Sequence, residues 1–177
     1  MSGALRTLPT PRGDFIFRPE RPEDERFLFE LFAAHHGATM RQTALPAAMI
    51  EKLLETQFRS QTATFRNMFP GAIYSIIAFD GEEIGRFIEH DETDVVYFVD
   101  FLLAPVHQAK GFGPAITWAL MQEWAARGRG TRVEVRISNA PCLKMCERLG
   151  FTQRGPETNA HVELRWYPPH LAPKPPG

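Results

Sequence analysis

The sequence contains little cysteine and almost no net charge. These two properties limit the compartment and the partners that we expect for the protein. Cys142 and Cys146 are the only cysteines in the 177 residues. They lie close together on a predicted helix with parallel Cβ directions, so we expect no mutual disulfide and a reducing compartment. The 20 lysines and arginines nearly balance the 21 aspartates and glutamates, giving a formal net charge of -1. No overall field therefore favours nucleic acid or an anionic membrane as a partner.

Long apolar runs and metal-ligand patterns are also missing. No stretch approaches the ~20 apolar residues that a membrane-spanning helix needs, and residues 1–13 lack the apolar core of a secretory signal. We therefore expect a soluble, cytoplasmic protein. His35 and His36 are adjacent but have no partner at a spacing typical of a metal site, so no metal is expected.

The chain length and the positions of proline and glycine predict one domain with two tails. A chain of 177 residues that is 44% hydrophobic can bury the core of one domain. Proline and glycine interrupt residues 1–13, which we interpret as a flexible tail, and residues 169–177 form a proline-rich tail. The domain itself is predicted to span residues 14–168.

The apolar pattern predicts strands and helices in the order β-α-α-β-β-β-α-β-α-β-β. Apolar residues between Pro46 and Phe69 recur at helical spacing, and residues 131–137 alternate as a strand. The pair Asp80–Gly81 marks a hairpin turn, and Asn139 begins a short helix as its N-cap. We therefore expect an α/β fold with a mixed central β-sheet of about seven strands and helices on both faces.

The segment "QAKGFG", residues 108–113, lies between a predicted strand and a predicted helix. It is not a dinucleotide fingerprint, because no third glycine follows Gly113 at the required spacing. It is not a Walker loop, because Lys110 precedes Gly111 and no lysine follows the glycines. The glycines either let backbone N–H groups approach an anion at the helix N-terminus, or they form an ordinary turn. The motif alone leaves both interpretations open.

Three segments, in the same order, resemble the GNAT superfamily of acyl-CoA-dependent N-acyltransferases. "QAKGFG" is similar to the family's Q/R-x-x-G-x-G/A loop, "FIFRPERPEDERFLFELF" to its opening strand and helix, and "NAPCLKMCERLGF" to its N-x-x-A-x-x-x-Y-x-x-x-G-F segment. The resemblance covers about Phe15 to Tyr167 and implies fourth and fifth strands that splay apart around the pantetheine of acetyl-CoA. It also implies that the CoA co-substrate contacts Leu102, Leu103, Ala104, Gln108, Ala109, Lys110, Gly111, Phe112, Gly113, Pro114, Asn139, Cys142 and Cys146.

The same resemblance implies catalytic roles for three residues. Asp100 lies where the family often has an acidic general base, and a structural carboxylate bonded to backbone or to an arginine is the alternative. The Leu103 N–H is expected to stabilise the oxyanion. Cys146 replaces the tyrosine that usually protonates the leaving CoA sulfur, so either it donates a proton or the thiolate departs unaided, and we favour unaided departure. Candidate contacts of the acceptor are His36, Arg41, Tyr74 and Asn159.

These features predict an N-acetyltransferase that moves an acetyl group from acetyl-CoA to a primary amine by direct attack in a ternary complex. The acceptor is a small molecule or a protein, and the sequence leaves a homodimer open. Two alternatives are a catalytically silent acyl-CoA-binding module, suggested by the missing tyrosine, and an interaction protein that uses the proline-rich tail. Binding of CoA and turnover on amines distinguish the three.

Overall fold

A mixed β-sheet with helices on both faces forms the body of the protein. The computed structural model describes residues 5–153 and 160–171, and within these ranges the sheet has eight strands in the order β1-β2-β3-β4-β5-β6-β8-β7. The strands are β1 Arg6–Thr10, β2 Gly13–Pro19, β3 Ile73–Phe79, β4 Glu82–Asp91, β5 Val95–Leu103, β6 Gly130–Arg136, β7 Thr152–Gln153 and β8 His161–Trp166. The helices are α1 Glu25–Arg41, α2 Ala47–Met68, α3 Phe112–Ala126 and α4 Ala140–Arg148.

Local sequence signals explain where several of these elements begin and turn. Asp80 and Gly81 have φ angles of 50° and 81°, which suit the tight hairpin predicted between β3 and β4. Asn139 caps α4, because its side-chain oxygen accepts a hydrogen bond of 3.3 Å from the Cys142 backbone N–H. The predicted hairpin and helix start are confirmed.

The two faces of the sheet carry different helices. Ile76 and Ile77 are neighbours on β3, so their side chains point to opposite faces. Ile76 packs in a buried cluster with α1 and α2, which includes Leu28, Phe32, Leu54 and Phe58. Ile77 packs in a second cluster with α3, which includes Phe15, Phe87, Ile116, Leu120 and Trp124. A third cluster joins α4 to α3, β6 and β8. The predicted helices on both faces are confirmed.

The interpretation of residues 1–13 as a flexible tail is wrong for Arg6–Thr10, which form the edge strand β1. This strand pairs antiparallel with β2, its Leu8 is buried at 3% exposure, and Arg6 forms ion pairs with Glu89 and Glu123. Pro9 was interpreted as a sign of irregular structure. Proline is nevertheless tolerated on an edge strand, because one side of that backbone forms no hydrogen bonds with a neighbouring strand. The sheet therefore has one strand more than the expected seven.

The predicted splaying of two neighbouring strands is confirmed at β5 and β6. These strands pair in parallel from Val95 opposite Gly130 to Phe98 opposite Val133, and the pairing then stops. Beyond that point β5 continues against β4 as far as Leu103, and β6 continues against β8 as far as Arg136. A gap therefore opens between the C-terminal parts of the two strands.

No helix among the described residues is both long and apolar enough to cross a membrane. The proline-rich tail is described only as far as Leu171, and residues 172–177 lie outside the described ranges.

Candidate functional site

A cavity of about 530 Å³ lies where β5 and β6 diverge. We call it the cleft. Its walls come from β5, β6, α1, α2 and α4, and they bring together residues far apart in the sequence. The lining includes His35, His36, Phe65, Asp100, Leu102, Arg136, Asn139, Cys142 and Cys146. Asp100, Leu102, Asn139 and both cysteines were predicted as site residues, and the structure brings them to one cavity.

The backbone of β5 has polar groups that point away from β4, toward the side where β6 diverges. The Ala104 N–H donates to the Ile84 carbonyl on β4 at 2.8 Å. Because neighbouring residues of a strand direct their N–H and C=O groups to opposite sides, those of Leu103 point away from β4, toward the diverging side. Strand β6 has diverged there, so this edge of β5 has no neighbouring strand to pair with.

The Leu103 carbonyl accepts two side-chain hydrogen bonds at the end of β5. His35 Nε2–H donates to it at 2.8 Å and Gln108 Nε2 at 2.9 Å. The side chain of Gln108, the first residue of the predicted CoA loop, therefore binds the protein's own backbone and fixes the start of the turn. The sequence predicted no role for His35, because nothing in the position of a histidine on a helix signals this contact.

Asp100 is held by a buried arginine. Arg86 donates from Nε at 2.9 Å and from Nη2 at 2.5 Å to one oxygen of the Asp100 carboxylate. Arg86 is only 3% exposed, whereas the Asp100 side chain retains 17% of its surface. This is the arginine-bonded carboxylate that the sequence left as the alternative to a general base. Arg86 itself was missed, although it alternates with Ile88 on one face of β4, where an arginine needs a partner.

His36 lies in the cleft with its ring stacked on Phe32, at a centroid distance of 4.3 Å. Burial lowers the pKa of His36 below its ordinary value, and the positive charges of Arg136 and His35 act in the same direction. The nearby Asp100 opposes this shift. The imidazole of His36 is therefore neutral at neutral pH and can accept a proton.

The two cysteines share one wall of the cleft, and their thiols interact with each other. Cys146 is 2% exposed and packs with Met121, Val135 and Phe151. The interaction with Cys142 raises the pKa of the Cys146 thiol, and burial raises it further, whereas the same interaction lowers the pKa of Cys142. Cys146 is therefore the thiol that keeps its proton, and Cys142 is the thiol that ionises more readily.

The turn from Gln108 to Gly113 carries the second part of the site. Ala109 and Gly111 both have positive φ, 58° and 79°, and α3 begins directly after Gly111. The first turn of α3 has no acidic residue. Phe112 and Gly113 are its first two residues, and first-turn N–H groups have no partner within the helix. A Cβ built on Gly113 would meet only Met145 Sδ, at 3.8 Å, so this position is open to an approaching ligand.

This geometry suits an anion and favours the first of the two interpretations of "QAKGFG". Alternating backbone conformations point successive N–H groups into one concavity, and the N-terminus of α3 adds positive potential. Pro114 removes no useful donor, because a first-turn N–H lacks a helical partner in any case. Lys110 supplies a cation on the turn itself, and no salt bridge to it forms within residues 5–153 and 160–171.

The predicted acceptor contacts are only partly brought together. Within the described part of the chain, His36 lines the cleft, whereas Arg41 and Tyr74 do not. Arg41 is exposed near the end of α1, and the ring of Tyr74 is covered by the Arg66 guanidinium at 3.6 Å. Asn159 lies outside the described residues.

Comparisons with known proteins agree with this geometry. Residues 87–162 match the family model "FR47-like protein", a GNAT-type family, and this segment contains the turn before α3 and most of the residues that line the cleft. No curated protein matches the chain. The family match covers less than half of the chain, and it agrees with the resemblance of the motifs to the GNAT superfamily.

Solved structures show the same fold at low sequence identity. The PaiA N-acetyltransferase of Thermoplasma acidophilum, solved with coenzyme A, is 14% identical at a TM-score of 0.63, covering 86% of this chain and 99% of its own. RimL, a ribosomal L7/L12 alpha-N-protein acetyltransferase solved with a CoA–cysteine disulfide, is 15% identical at 0.60, covering 92% and 98%. The ribosomal-protein-S18-alanine N-acetyltransferase of Escherichia coli is 20% identical at 0.59, covering 86% and 92%. The likeness extends over nearly the whole of each relative.

Proposed function

We propose that this protein transfers an acetyl group from acetyl-CoA to a primary amine by direct attack in a ternary complex. The observation that carries the proposal is the opening between β5 and β6, where an unpaired strand edge leads from the cleft to an anion-binding turn. An extended pantetheine arm fits against such an edge, and the phosphates of CoA fit the turn. Holding both substrates in register in this way supplies much of the rate of a two-substrate reaction.

The cleft offers backbone groups to the reacting thioester. The Leu103 N–H, directed away from β4, is the donor that we assign to the carbonyl oxygen as it becomes an oxyanion. Leu102 and Ala104 flank it and complete the strand segment that lies along the co-substrate. A donor fixed in a strand needs no reorganisation during the reaction, which is why such groups lower barriers effectively.

The acceptor must lose a proton before it attacks, because an ammonium has no free electron pair. His36 is the proton acceptor that we assign, since its buried imidazole is neutral at neutral pH. Asp100 supports deprotonation by attracting the ammonium to the cleft, with its carboxylate oriented by Arg86. Direct proton transfer to Asp100 is the alternative, and variants of the two residues separate them.

The departing sulfur needs little assistance. A thiol with a reference pKa of ~8.5 forms a tolerable leaving group near neutral pH. Cys146, at the position of the family's tyrosine, keeps its own proton because the interaction with Cys142 and burial raise its pKa. We therefore assign Cys146 a packing role in the wall of the cleft and propose that the thiolate departs unaided.

A catalytically silent acyl-CoA-binding module remains the second candidate, and one observation favours it. The Asp100 carboxylate is engaged by Arg86, and the tyrosine position holds a buried cysteine, so two catalytic groups of the family are absent or occupied. Calorimetric titration with CoA, followed by thiol release from acetyl-CoA over a panel of amines, tests both candidates. Binding without turnover on any amine would support the silent module.

The acceptor class, the location and the oligomeric state stay predictions. RimL and the S18-alanine enzyme act on ribosomal proteins by their names, which supports including peptide amino termini in the amine panel. A cytoplasmic location is an expectation from the sequence, which leaves a homodimer open. An interaction role for the proline-rich tail rests largely on residues 172–177, outside the described ranges.

A further inference from the structure

Arg12 lies against the turn that begins α3, although it belongs to the distant connection between β1 and β2. A Cβ built on Gly111 would lie 3.0 Å from Arg12 Nη2 and 3.1 Å from its Nε. The guanidinium therefore covers the left-handed glycine at the N-cap of α3. Arg12 lies outside residues 87–162, the segment that matches the family model.

An aromatic cluster holds this connection against the start of α3. Phe112, the first residue of α3, contacts Phe15 of β2 at a centroid distance of 5.2 Å and Phe79 of β3 at 4.8 Å. Phe15 and Phe79 contact each other at 4.9 Å. The position of Arg12 is fixed further within its own turn, because the Arg12 N–H donates to Thr10 Oγ1 at 3.0 Å. The arginine is thus presented to the turn by packed neighbours.

The charge of Arg12 has no carboxylate partner among the residues that the structure describes. Within residues 5–153 and 160–171, no carboxylate forms a salt bridge with Arg12 or with Lys110, and the first turn of α3 is free of acidic residues. The N-terminus of a helix carries partial positive charge, so cations placed beside it are destabilising unless an anion joins them. A bound anion would give both of these cations a partner at this end of α3.

We propose that Arg12 binds phosphoryl oxygens of CoA and forms, together with Lys110 and the N–H groups of the turn, a two-sided phosphate clamp. This inference rests on the proposed function and extends the CoA site to the β1–β2 connection. The planar guanidinium pairs with two phosphoryl oxygens at once, which a lysine does not reproduce. Both the pyrophosphate and the 3′-phosphate carry this chemistry.

The test is calorimetric titration of the full chain with CoA and with 3′-dephospho-CoA. Arg12→Ala is expected to weaken CoA binding by about 3- to 10-fold at low salt, with a smaller loss at high salt, as for an exposed charge pair. An equal loss with both ligands assigns Arg12 to the pyrophosphate, and a loss with CoA alone assigns it to the 3′-phosphate. Arg12→Lys should recover only part of the affinity.

Arg127→Ala is the matched control, because Arg127 is an exposed arginine at the opposite end of α3. It should leave CoA affinity unchanged, and the thermal midpoint of Arg12→Ala without ligand should be no lower than that of the parent. Unchanged affinity of Arg12→Ala for both ligands, or an equal loss in Arg127→Ala, would overturn the inference and leave the proposed function standing. A parent protein that fails to bind CoA would overturn both.

Discussion

Arg86 and Asp100 form an ion pair across β4 and β5, with Arg86 Nε and Nη2 converging on one oxygen of the Asp100 carboxylate. The arginine is buried and the carboxylate reaches the cleft. Asp100, a predicted catalytic residue, is therefore also the partner of a buried arginine. A substitution of Asp100 changes both the cleft and the environment of Arg86.

Replacing Asp100 tests whether it assists deprotonation or only neutralises Arg86. Asp100→Asn is expected to lower turnover most at lower pH, where free amine is scarce, with little change in CoA affinity. Because this change also leaves a buried arginine without its anion, the double variant Asp100→Asn/Arg86→Met is the control. Turnover restored in the double variant would assign Asp100 a purely structural role.

His36 should account for the acidic limb of the pH–rate profile. Its pKa is lowered from 6.5 by burial, so the imidazole is neutral above that lowered pKa and protonated below it. Turnover should therefore fall as the pH drops through a value below 6.5, and His36→Gln should lower kcat and remove this limb. An unchanged pH profile in His36→Gln would contradict the assignment of the base.

Gly113 tests the approach of the co-substrate to α3 without disturbing the fold. Its Cβ position is open in the protein, so Gly113→Val should fold normally and yet bind CoA at least about tenfold more weakly, because the side chain projects into the turn. Gly113→Ala is the control, since the family loop accepts alanine there. Equal CoA affinity for the parent and Gly113→Val would place the phosphates elsewhere.

Cys146 should matter more for packing than for chemistry. Cys146→Ala is expected to lose about 1 kcal/mol of unfolding free energy by leaving a small void, while retaining most of its turnover. Loss of a positioned acid would instead cost roughly 10- to 1,000-fold. A stable Cys146→Ala with such a loss would show that the thiol donates a proton.

Asp24 should make the fold sensitive to acid. A hydrogen bond from Arg18 lowers the pKa of Asp24, so the ionised carboxylate is favoured in the folded state. Its stabilisation is complete above the unfolded pKa of 3.8 and is lost as pH falls through the lower folded value. Asp24→Asn should cost about 1 to 3 kcal/mol at pH 7. That difference should shrink in strong acid, as measured by urea unfolding.

Much of the fold was predictable, because it rests on local patterns. The helical spacing of Ile50, Leu54 and Phe58 and the turn at Asp80–Gly81 each specify an element without reference to the rest of the chain. Strand β1 escaped prediction because its burial depends on β2 and α3, while its own sequence contains a proline.

Site residues could be predicted from the sequence only where they belong to a recognisable motif. Residues 108–113 and Asn139 stand in family patterns, whereas Arg86, His35 and Arg12 reach the site through pairing and packing between distant segments. Arg86 left a faint signal as a cation on an apolar strand face. The contacts of His35 and Arg12 are set by tertiary structure alone.

The central claim is acyl transfer in the cleft, and thiol release from acetyl-CoA over a panel of small amines and peptide amino termini measures it most directly. We expect release of CoA that depends on the amine, with an equal amount of acetylated amine detected by mass spectrometry, and both reduced in Gly113→Val at subsaturating acetyl-CoA. Tight CoA binding with no acetylated product from any amine across the pH range would contradict it.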